Sequence, residues 1–373
     1  MTKKIRLIIL AVCVLLFIII TPYVVLYSLG YRIDFENKKI VTTGGIYVRV
    51  LPQGSEVLID SKINNKTGLF SNSVFVQNLL PKQHSVLIKK DGYYNYQKNL
   101  LVKENEVTKL EHVILFKKNI LFEILADKNQ SPFNQPVIED KYIIKNSNLY
   151  YSSAKENANI TLLQKNTSII KNLVSFKVLN NNIIWLALDG LLYSSDINGK
   201  NAQNLSEIKL KINNINIYKI FTFDQEIFLK NNNSLLLLNK ETKAFSDFYG
   251  NVRDLKTSPN SQKLLYYNDH EILLSDMNQL NSERTLLNRF SNQINDCYWI
   301  NDDYIIIQLE DKILISEINV IDKVNTVELP KAVSLTDGTN VDLKNIKILF
   351  NQQEKKLYIL NQKNTLISER LIP

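Results

Sequence analysis

The first thirty residues carry an almost unbroken apolar run. Within residues 7–20 the one residue outside the aliphatic and aromatic set is Cys13, and the run continues to residue 29. A hydrocarbon core about 30 Å thick needs roughly 20 apolar residues in a helix, which satisfies its own backbone hydrogen bonds. The pattern predicts a membrane-spanning helix whose last turns are loosened by Pro22. An interfacial aromatic belt is expected at Tyr23, Tyr27 and Tyr31.

The same segment allows two other interpretations, both of which involve cleavage. A secretory signal has an apolar region of about 7–15 residues and a small-x-small exit site, whereas this run is longer and no Ala-x-Ala follows it. Residues 10–13 resemble a bacterial lipoprotein site, but Val12 is large for the position before Cys13. We therefore favour an uncleaved anchor.

Charge beside the apolar run predicts the orientation of this anchor. Lys3, Lys4 and Arg6 flank its start, and cationic flanks stay in the cytoplasm. Arg32 and the lysines at 38–39 lie on the far side and weaken this bias, yet a short basic tail is easily retained. The sequence predicts a cytoplasmic N-terminus and folded domains outside the membrane.

After a juxtamembrane spacer at residues 31–43, apolar and polar positions alternate with the period of β-strands. Turns separate these runs at residues 51–55 and 91–92, where proline, glycine and aspartate favour turn geometry. Residues 61–68, rich in Asn and Lys, are predicted to form a loop. The predicted strands are 46–50, 56–60, 73–76, 84–90, 99–102 and 107–116.

One set of motif positions runs through these strands. They are Gly44, Gly45, Pro52, Gly54, Val57, Ile59, Asp60, Thr67, Leu79, Pro81, His84, Val86, Ile88, Gly92 and Tyr93. With them, residues 44–117 resemble a PEGA domain, a small β-sandwich common on prokaryotic surfaces. The chain departs from the family pattern at Gln53, Ser55, Gly68 and Lys82, while the spacing is intact. The resemblance implies a fold and a setting, and this family has no catalytic residues to transfer.

From Ile120 onwards, short strands recur between Asn, Asp, Lys and Gly turns, in units of roughly 35–45 residues. Four-stranded units of this kind build the blades of a β-propeller. The clearest unit spans residues 252–277, where a strand, the turn at Ser258-Pro259-Asn260 and two more strands follow one another. The six units that we count are about 137–165, 173–207, 215–248, 251–288, 293–330 and 343–372.

The Ser-Pro-Asn turn followed by an apolar strand resembles the repeats of TolB-like and WD40-like β-propellers. The last unit has three obvious strands, and residues 121–125 form an unassigned strand before the first unit. We predict that residues 121–125 pair with the last blade and close the ring, because an open ring leaves aggregation-prone strand edges.

The complete prediction is an all-β protein with an N-terminal transmembrane helix, a small PEGA β-sandwich and a β-propeller of six blades. Its parts are the cytoplasmic tip and anchor, the spacer, the PEGA domain and the propeller, at 1–30, 31–43, 44–117 and 118–373.

Charge is distributed unevenly between these parts. Residues 1–117 hold 16 Lys and Arg against 8 Asp and Glu, whereas residues 118–373 hold 29 of each. This balance argues against nucleic acid as a partner of the large domain, because binding phosphates requires a basic surface. We interpret the basic excess near the membrane as a signal that sets the orientation of the anchor and as a source of attraction to anionic lipid headgroups.

The sequence contains no nucleophile elbow, phosphate loop, metal-binding cluster or kinase signature. Cys13 and Cys297 cannot pair if Cys13 lies in the bilayer, and the histidines at 84, 112 and 270 lack metal-ligand spacing. We therefore predict no catalytic, cofactor-binding or metal-binding residues.

Several residues have both a structural and a functional interpretation. For His84 a structural hydrogen bond is favoured over a ligand role, and Asp302-Asp303 is read as a solvated turn rather than a catalytic pair. Trp185 and Trp299 are expected in the blade cores. Packing is favoured over a carbohydrate-stacking platform for Tyr93, Tyr94 and Tyr96.

Three functions follow from different assumptions. The favoured one is a membrane-anchored extracytoplasmic binding or scaffolding protein of a prokaryotic cell envelope, bound to the lipid bilayer and to a wall polymer or another envelope protein. The second is a propeller enzyme acting on envelope glycans, which requires two carboxylates about 5–10 Å apart in a central pocket. Intracellular signalling requires the opposite orientation in the membrane.

Overall fold

The computed structural model describes residues 3–68, 71–125, 131–134, 141–151, 168–330, 332–335, 338–342, 346–361 and 364–373. After one N-terminal helix, the regular structure in these ranges is almost entirely β-strand. The predicted all-β class is confirmed.

Helix α1 spans Lys3–Ser28, includes Pro22 and buries none of its side chains against the rest of the chain. Its 26 residues have a length of about 39 Å at 1.5 Å per residue, enough to cross a hydrocarbon core of about 30 Å. Within the described residues it is the one helix of this kind, and it fits a membrane anchor or a signal peptide.

A β-hairpin occupies the segment that was predicted to be a spacer. Strand β1 (Tyr31–Asp34) pairs antiparallel with β2 (Lys39–Thr42). The Asp34 carboxylate closes the turn by accepting hydrogen bonds from the backbone N–H groups of Glu36 and Asn37, at 2.9 and 3.2 Å. The spacer is therefore an ordered element that links α1 to the next domain.

The next seven strands form a β-sandwich. One sheet has the order β6-β3-β9 and the other β5-β4-β7-β8. Alternate apolar side chains of both sheets meet in a single core, as the period-two pattern predicts. The strands are β3 (Gly44–Leu51), β4 (Glu56–Ile59), β5 (Ile63–Lys66), β6 (Ser73–Leu79), β7 (Gln83–Lys89), β8 (Tyr96–Leu101) and β9 (Val107–Ile114).

The loop predicted at residues 61–68 is partly wrong, because β5 lies within it and pairs antiparallel with β4. Strand β5 has a polar sequence and stands at the edge of its sheet. An edge strand needs one paired neighbour and no apolar face of its own, so its sequence gives little signal.

The remaining strands build the large domain. The first part contains β10 (Leu121–Ile124), β11 (Tyr142–Lys145), β12 (Asn148–Tyr151), β13 (Ile170–Lys171), β14 (Leu173–Leu179), β15 (Asn182–Ala187), β16 (Leu192–Asp196), β17 (Gln203–Asn204), β18 (Tyr218–Phe223), β19 (Glu226–Asn231), β20 (Ser234–Leu238) and β21 (Phe245–Tyr249). The second part contains β22 (Asp254–Thr257), β23 (Lys263–Tyr267), β24 (Glu271–Asp276), β25 (Thr285–Arg289), β26 (Ile294–Trp299), β27 (Tyr304–Leu309), β28 (Ile313–Glu317), β29 (Thr326–Glu328), β30 (Ala332–Leu335), β31 (Asn340–Asp342), β32 (Lys347–Asn351), β33 (Lys356–Leu360) and β34 (Thr365–Arg370).

These strands follow the chain order of a β-propeller. Strands β14 to β29 form successive four-stranded antiparallel sheets, each made of consecutive strands. The first strands of neighbouring sheets lie side by side, β14 beside β18, β22 beside β26, and β26 beside β32. Apolar cores lie between adjacent sheets. The first strand of each sheet is therefore the innermost, as in a propeller blade.

The described residues after 120 contribute to six sheets. The first predicted unit, at 137–165, is described at residues 141–151, and its remainder lies outside the described residues. The number of blades stays a prediction.

Strand β10 joins the last sheet, whose order is β31-β30-β10-β34-β33-β32. It pairs antiparallel with β34 and parallel with β30. The predicted pairing of residues 121–125 with the last unit is thus confirmed. The added strands β30 and β31 were not predicted.

Candidate functional site

The sandwich and the propeller meet along β8 and the segment at 318–325 that connects β28 to β29. We call the whole contact between the sandwich and the propeller the interdomain joint. Strand β8 is an edge strand, and the outward backbone N–H groups of Gln97 and Asn99 donate to Asn325 Oδ1 at 3.3 Å and Asp322 Oδ2 at 2.8 Å. Because an uncovered edge invites pairing with other chains, these contacts both protect β8 and set its position on the propeller.

A buried ion pair lies at the centre of the interdomain joint. Lys98 Nζ is 3.0 Å from Glu317 Oε1, and the two side chains are 0% and 4% exposed. Lys98 Nζ also donates to the carbonyl oxygens of Asn319 and Ile321, each at 2.8 Å, so all three ammonium protons have acceptors. A buried charge is tolerated when it is paired in this way.

The Glu317 carboxylate is equally well satisfied. It accepts hydrogen bonds from the Tyr96 hydroxyl at 2.8 Å and from the backbone N–H of Asn325 at 2.7 Å. Burial, reinforced by the nearby Glu317, raises the pKa of Tyr96 well above that of a free phenol. Tyr96 therefore stays protonated and keeps donating to Glu317.

Apolar contacts surround this polar centre. The rings of Phe116 and Tyr304 pack edge to face with centroids 5.3 Å apart, and the Tyr304 hydroxyl accepts a hydrogen bond from the Ile114 backbone at 3.0 Å. The Tyr94 hydroxyl donates to the Glu328 carbonyl at 2.9 Å. Ile114 and Phe116 belong to a core that is otherwise made by the propeller. Sandwich and propeller thus share one core.

The three tyrosines that were candidates for stacking on carbohydrate have other contacts. Tyr96 is buried, and Tyr94 packs against the core shared with the propeller. Tyr93 is half-buried against the sandwich core, with Lys90 Nζ 5.7 Å from its ring centroid. The packing interpretation is confirmed for Tyr94 and Tyr96, which together serve the interdomain joint.

A second polar cluster bridges two inner strands of the propeller. Lys256 on β22 places Nζ 2.5 Å from Oδ1 of Asp296 on β26. Tyr267 and Tyr298 donate their hydroxyls to the same carboxylate at 2.8 and 2.5 Å, and Lys256 Nζ lies 3.7 Å from the centroid of the Tyr298 ring. Burial alone would raise the pKa of Asp296, but Lys256 and the two tyrosines outweigh it and hold the pKa below its usual range.

This arrangement predicts a pH-dependent coupling between Lys256 and Asp296. A double-mutant cycle with Lys256→Met and Asp296→Asn is expected to give a coupling free energy of about 0.5–3 kcal/mol at neutral pH. The pKa of Asp296 is lower in the folded protein than in the unfolded chain. The coupling is therefore complete above the ordinary carboxyl pKa of about 4, and it is lost as the pH falls through the folded-state pKa of Asp296. Urea unfolding of the four proteins at neutral and acidic pH measures it.

The exposed pair Lys243–Glu207, at 2.7 Å, serves as the control cycle. Solvent screening limits such a pair to about 0–1 kcal/mol. A coupling at Lys256–Asp296 no larger than that of the control pair would contradict the prediction.

His84 forms structural hydrogen bonds within the sandwich. Its Nδ1 lies 2.7 Å from Asp60 Oδ2, and its Nε2 lies 2.8 Å from the Leu80 carbonyl oxygen. Burial opposes a low pKa of Asp60, but hydrogen bonds from His84 and from the Ser85 backbone prevail and lower it. The structural interpretation of His84 is confirmed, and its bonds tie the end of β4 to the start of β7.

The other residues that were considered in the sequence analysis also have structural roles. Trp185 and Trp299 are buried in the blade cores as predicted, and the Trp299 indole donates to the Lys256 carbonyl at 3.1 Å. Asp302 lies in a turn and accepts a hydrogen bond from the Asn260 backbone at 2.9 Å. The predicted turn at 302–303 is therefore present.

Two further observations concern small ligands. Across the described ranges, no three His, Cys, Asp or Glu side chains are grouped so that they could hold a metal ion. A cleft between β27, β28 and the segment after β29 has a volume of about 100 Å³, whereas small-molecule sites usually measure about 300–1,000 Å³. Residues lining it include Asn295, Gln308, Leu329 and Ile346.

Comparison with known proteins gives one family match. Residues 43–115 match the family model described as PEGA domain. A search of curated proteins finds no significant match.

Among solved structures, the chain is similar to YCF48 bound to D1 peptide, with 13% identity and a TM-score of 0.38 over 78% of this chain and 90% of the other. It is similar to Kluyveromyces lactis Hsv2, with 11% identity and a TM-score of 0.39 over 89% and 76% of the two chains. A third similarity is to the extracellular domain of the putative hybrid two component system BT4673 from B. thetaiotaomicron, with 12% identity and a TM-score of 0.40 over 77% and 36%. By its family match the chain carries a PEGA domain at residues 43–115, and the strand order of its sheets after residue 120 is that of a β-propeller.

Proposed function

We propose that this chain is a membrane-anchored, extracytoplasmic binding or scaffolding protein of a prokaryotic cell envelope, without catalytic activity. Helix α1 is the anchor, its basic start lies in the cytoplasm, and the PEGA domain and propeller lie outside. The partners are the lipid bilayer and a wall polymer or another envelope protein, and nucleic acid is not among them.

The observation that carries this proposal is the interdomain joint. The buried Lys98–Glu317 pair and the shared apolar core make the PEGA domain and the propeller one body. A domain that must swing or close would instead have a smaller and more solvated contact with its neighbour. A rigid unit of two domains suits a protein that presents one surface at a constant distance from the membrane.

Protease accessibility on intact cells tests the topology. We expect added protease to degrade the propeller without lysis, and a reporter fused after Pro373 to be active outside the cytoplasm. A reporter active only in the cytosol, or a mature protein that starts beyond Gly30, would overturn the proposal.

Binding is tested separately with the full chain in detergent. We expect immobilised chain to retain a wall polymer or an envelope protein from solubilised envelopes. An unrelated single-pass protein in the same detergent is the control, and equal recovery from both would count against a binding role.

A further inference from the structure

The β1–β2 hairpin has two faces of different character. In its register Ile33 lies opposite Ile40, so both side chains project from one face, which Tyr31 also shares. All three are exposed, and Phe35 in the turn is exposed to 83%. Asp34, on the other face, is buried. We call the set Tyr31, Ile33, Phe35 and Ile40 the hairpin apolar face.

Polar contacts hold the hairpin on the PEGA domain and leave this face open. Glu36 pairs with Lys82 at 2.9 Å. Arg32 donates to Asn78 Oδ1 at 3.1 Å, and the Thr42 hydroxyl donates to Glu104 at 2.7 Å. The hairpin is therefore fixed at its base and turn.

The hairpin is also tied to the end of α1. The Thr43 backbone N–H donates to the Gly30 carbonyl at 2.9 Å, and the Arg32 guanidinium lies 3.4 Å from the centroid of the Tyr27 ring. If the bilayer begins after Arg6, roughly 20 residues of helix cross the hydrocarbon and end near Tyr27. The hairpin then starts inside the headgroup layer, which is about 5–8 Å thick on each side.

We propose that the hairpin apolar face inserts into the boundary between headgroups and acyl chains, as a second membrane contact beside α1. Interfacial amphipathic helices bury an apolar face by about 5–10 Å and place lysines of the polar face at anionic headgroups, and the hairpin has the same division into an apolar and a polar face. Lys38 in the turn and Lys39 on the opposite face, across from Asp34, are both exposed and supply those charges. The inference rests on the proposed anchoring. With a rigid interdomain joint, this contact fixes the tilt of the propeller over the membrane.

Depth-dependent fluorescence quenching tests the contact. Three single-tryptophan additions are made in the full chain, which is reconstituted in anionic vesicles that contain no brominated lipid, a lipid brominated near the top of its acyl chain, or a lipid brominated near the end of that chain. Phe35→Trp probes the hairpin and Phe17→Trp probes α1. Ile215→Trp is the matched control, because Ile215 is exposed to 88% on the propeller. The spectrum of the parent chain, with its buried Trp185 and Trp299, is subtracted.

We expect Phe35→Trp to lose most of its added emission to the lipid brominated near the top of its chain and Phe17→Trp to lose most of its added emission to the lipid brominated near the chain end, while Ile215→Trp loses none. If Phe17→Trp is quenched and Phe35→Trp is not, the hairpin contact is refuted and the anchor stands. If Phe35→Trp emits as a shielded tryptophan without quenching, a second copy of the chain covers the face and the proposal falls. Quenching of all three would indicate unspecific lipid attachment and would equally overturn it. Quenching of none would remove the anchor together with the hairpin contact.

Discussion

Replacing Lys98 with methionine is expected to lower the free energy of unfolding by about 3–5 kcal/mol. The substitution keeps most of the side-chain volume and removes the charge, so Glu317 is left buried without its cation. Tyr96 and Asn325 still donate to the carboxylate, but hydrogen bonds from neutral groups do not replace the lost positive charge. Urea unfolding of the full chain in detergent, followed by the fluorescence of Trp185 and Trp299, measures the loss.

Two further variants separate the effect of losing the ion pair from the general effect of replacing a lysine with methionine. Lys103→Met makes the same change on the same domain, at a solvent-exposed pair with Glu106 3.9 Å apart, and is expected to stay within about 0.5 kcal/mol of the parent chain. Lys98→Met combined with Glu317→Gln removes both charges but keeps an amide group beside Tyr96 and Asn325, and it should recover much of the stability, because no unpaired charge stays buried. A loss at Lys98→Met no greater than at Lys103→Met would mean that water reaches the interdomain joint.

The sandwich was readable from the sequence because burial in a strand recurs every second residue. Ile46, Val48 and Val50 alternate with polar positions and are fully buried in β3. The short strands β1, β2 and β5 escaped this reasoning. A four-residue strand has only two positions on each face. The apolar side chains of the β1–β2 hairpin stay exposed, so hydrogen bonds to Asp34 rather than core packing hold its turn.

The interdomain joint left one signal that sequence reasoning could have used. Lys98 stands between Tyr96 and Leu100 on the buried face of β8, where an unpaired lysine would be costly. The register thus indicates a buried cation, but not its partner. The partner of Lys98 is Glu317, which lies 221 positions after Tyr96, a residue of the same strand as Lys98, and no local pattern connects β8 with it.

Closure of the propeller, by contrast, followed from topology. A series of sheets that is not yet closed into a ring has two free ends. The predicted strand before the first unit was the one element to which no partner had been assigned. Strand β10 and its pairing with β34 satisfy this requirement. The addition of β30 and β31 at the outer edge was not foreseeable, because no rule of ring closure demands it.

The ring closure gives the second large expected effect. Phe122 on β10 is 1% exposed and lies in the core of the last sheet. Phe122→Ala is expected to lower the free energy of unfolding by about 3–5 kcal/mol, through lost apolar burial and the cavity left behind. Since β10 connects the start of the propeller to its end, the loss should first appear as opening of the last sheet.

Leu121→Ala is the matched control for this variant, because Leu121 is the preceding residue of the same strand and is 46% exposed on its other face. We expect it to change stability by about 0.5 kcal/mol or less. Hydrogen exchange locates the effect: in Phe122→Ala the amides of β34 should exchange faster at denaturant concentrations that leave β22 to β25 protected, because local opening precedes global unfolding. Equal acceleration in all sheets would show that β10 stabilises the propeller only as part of its general core. Unchanged exchange in β34 would contradict its role in closing the ring.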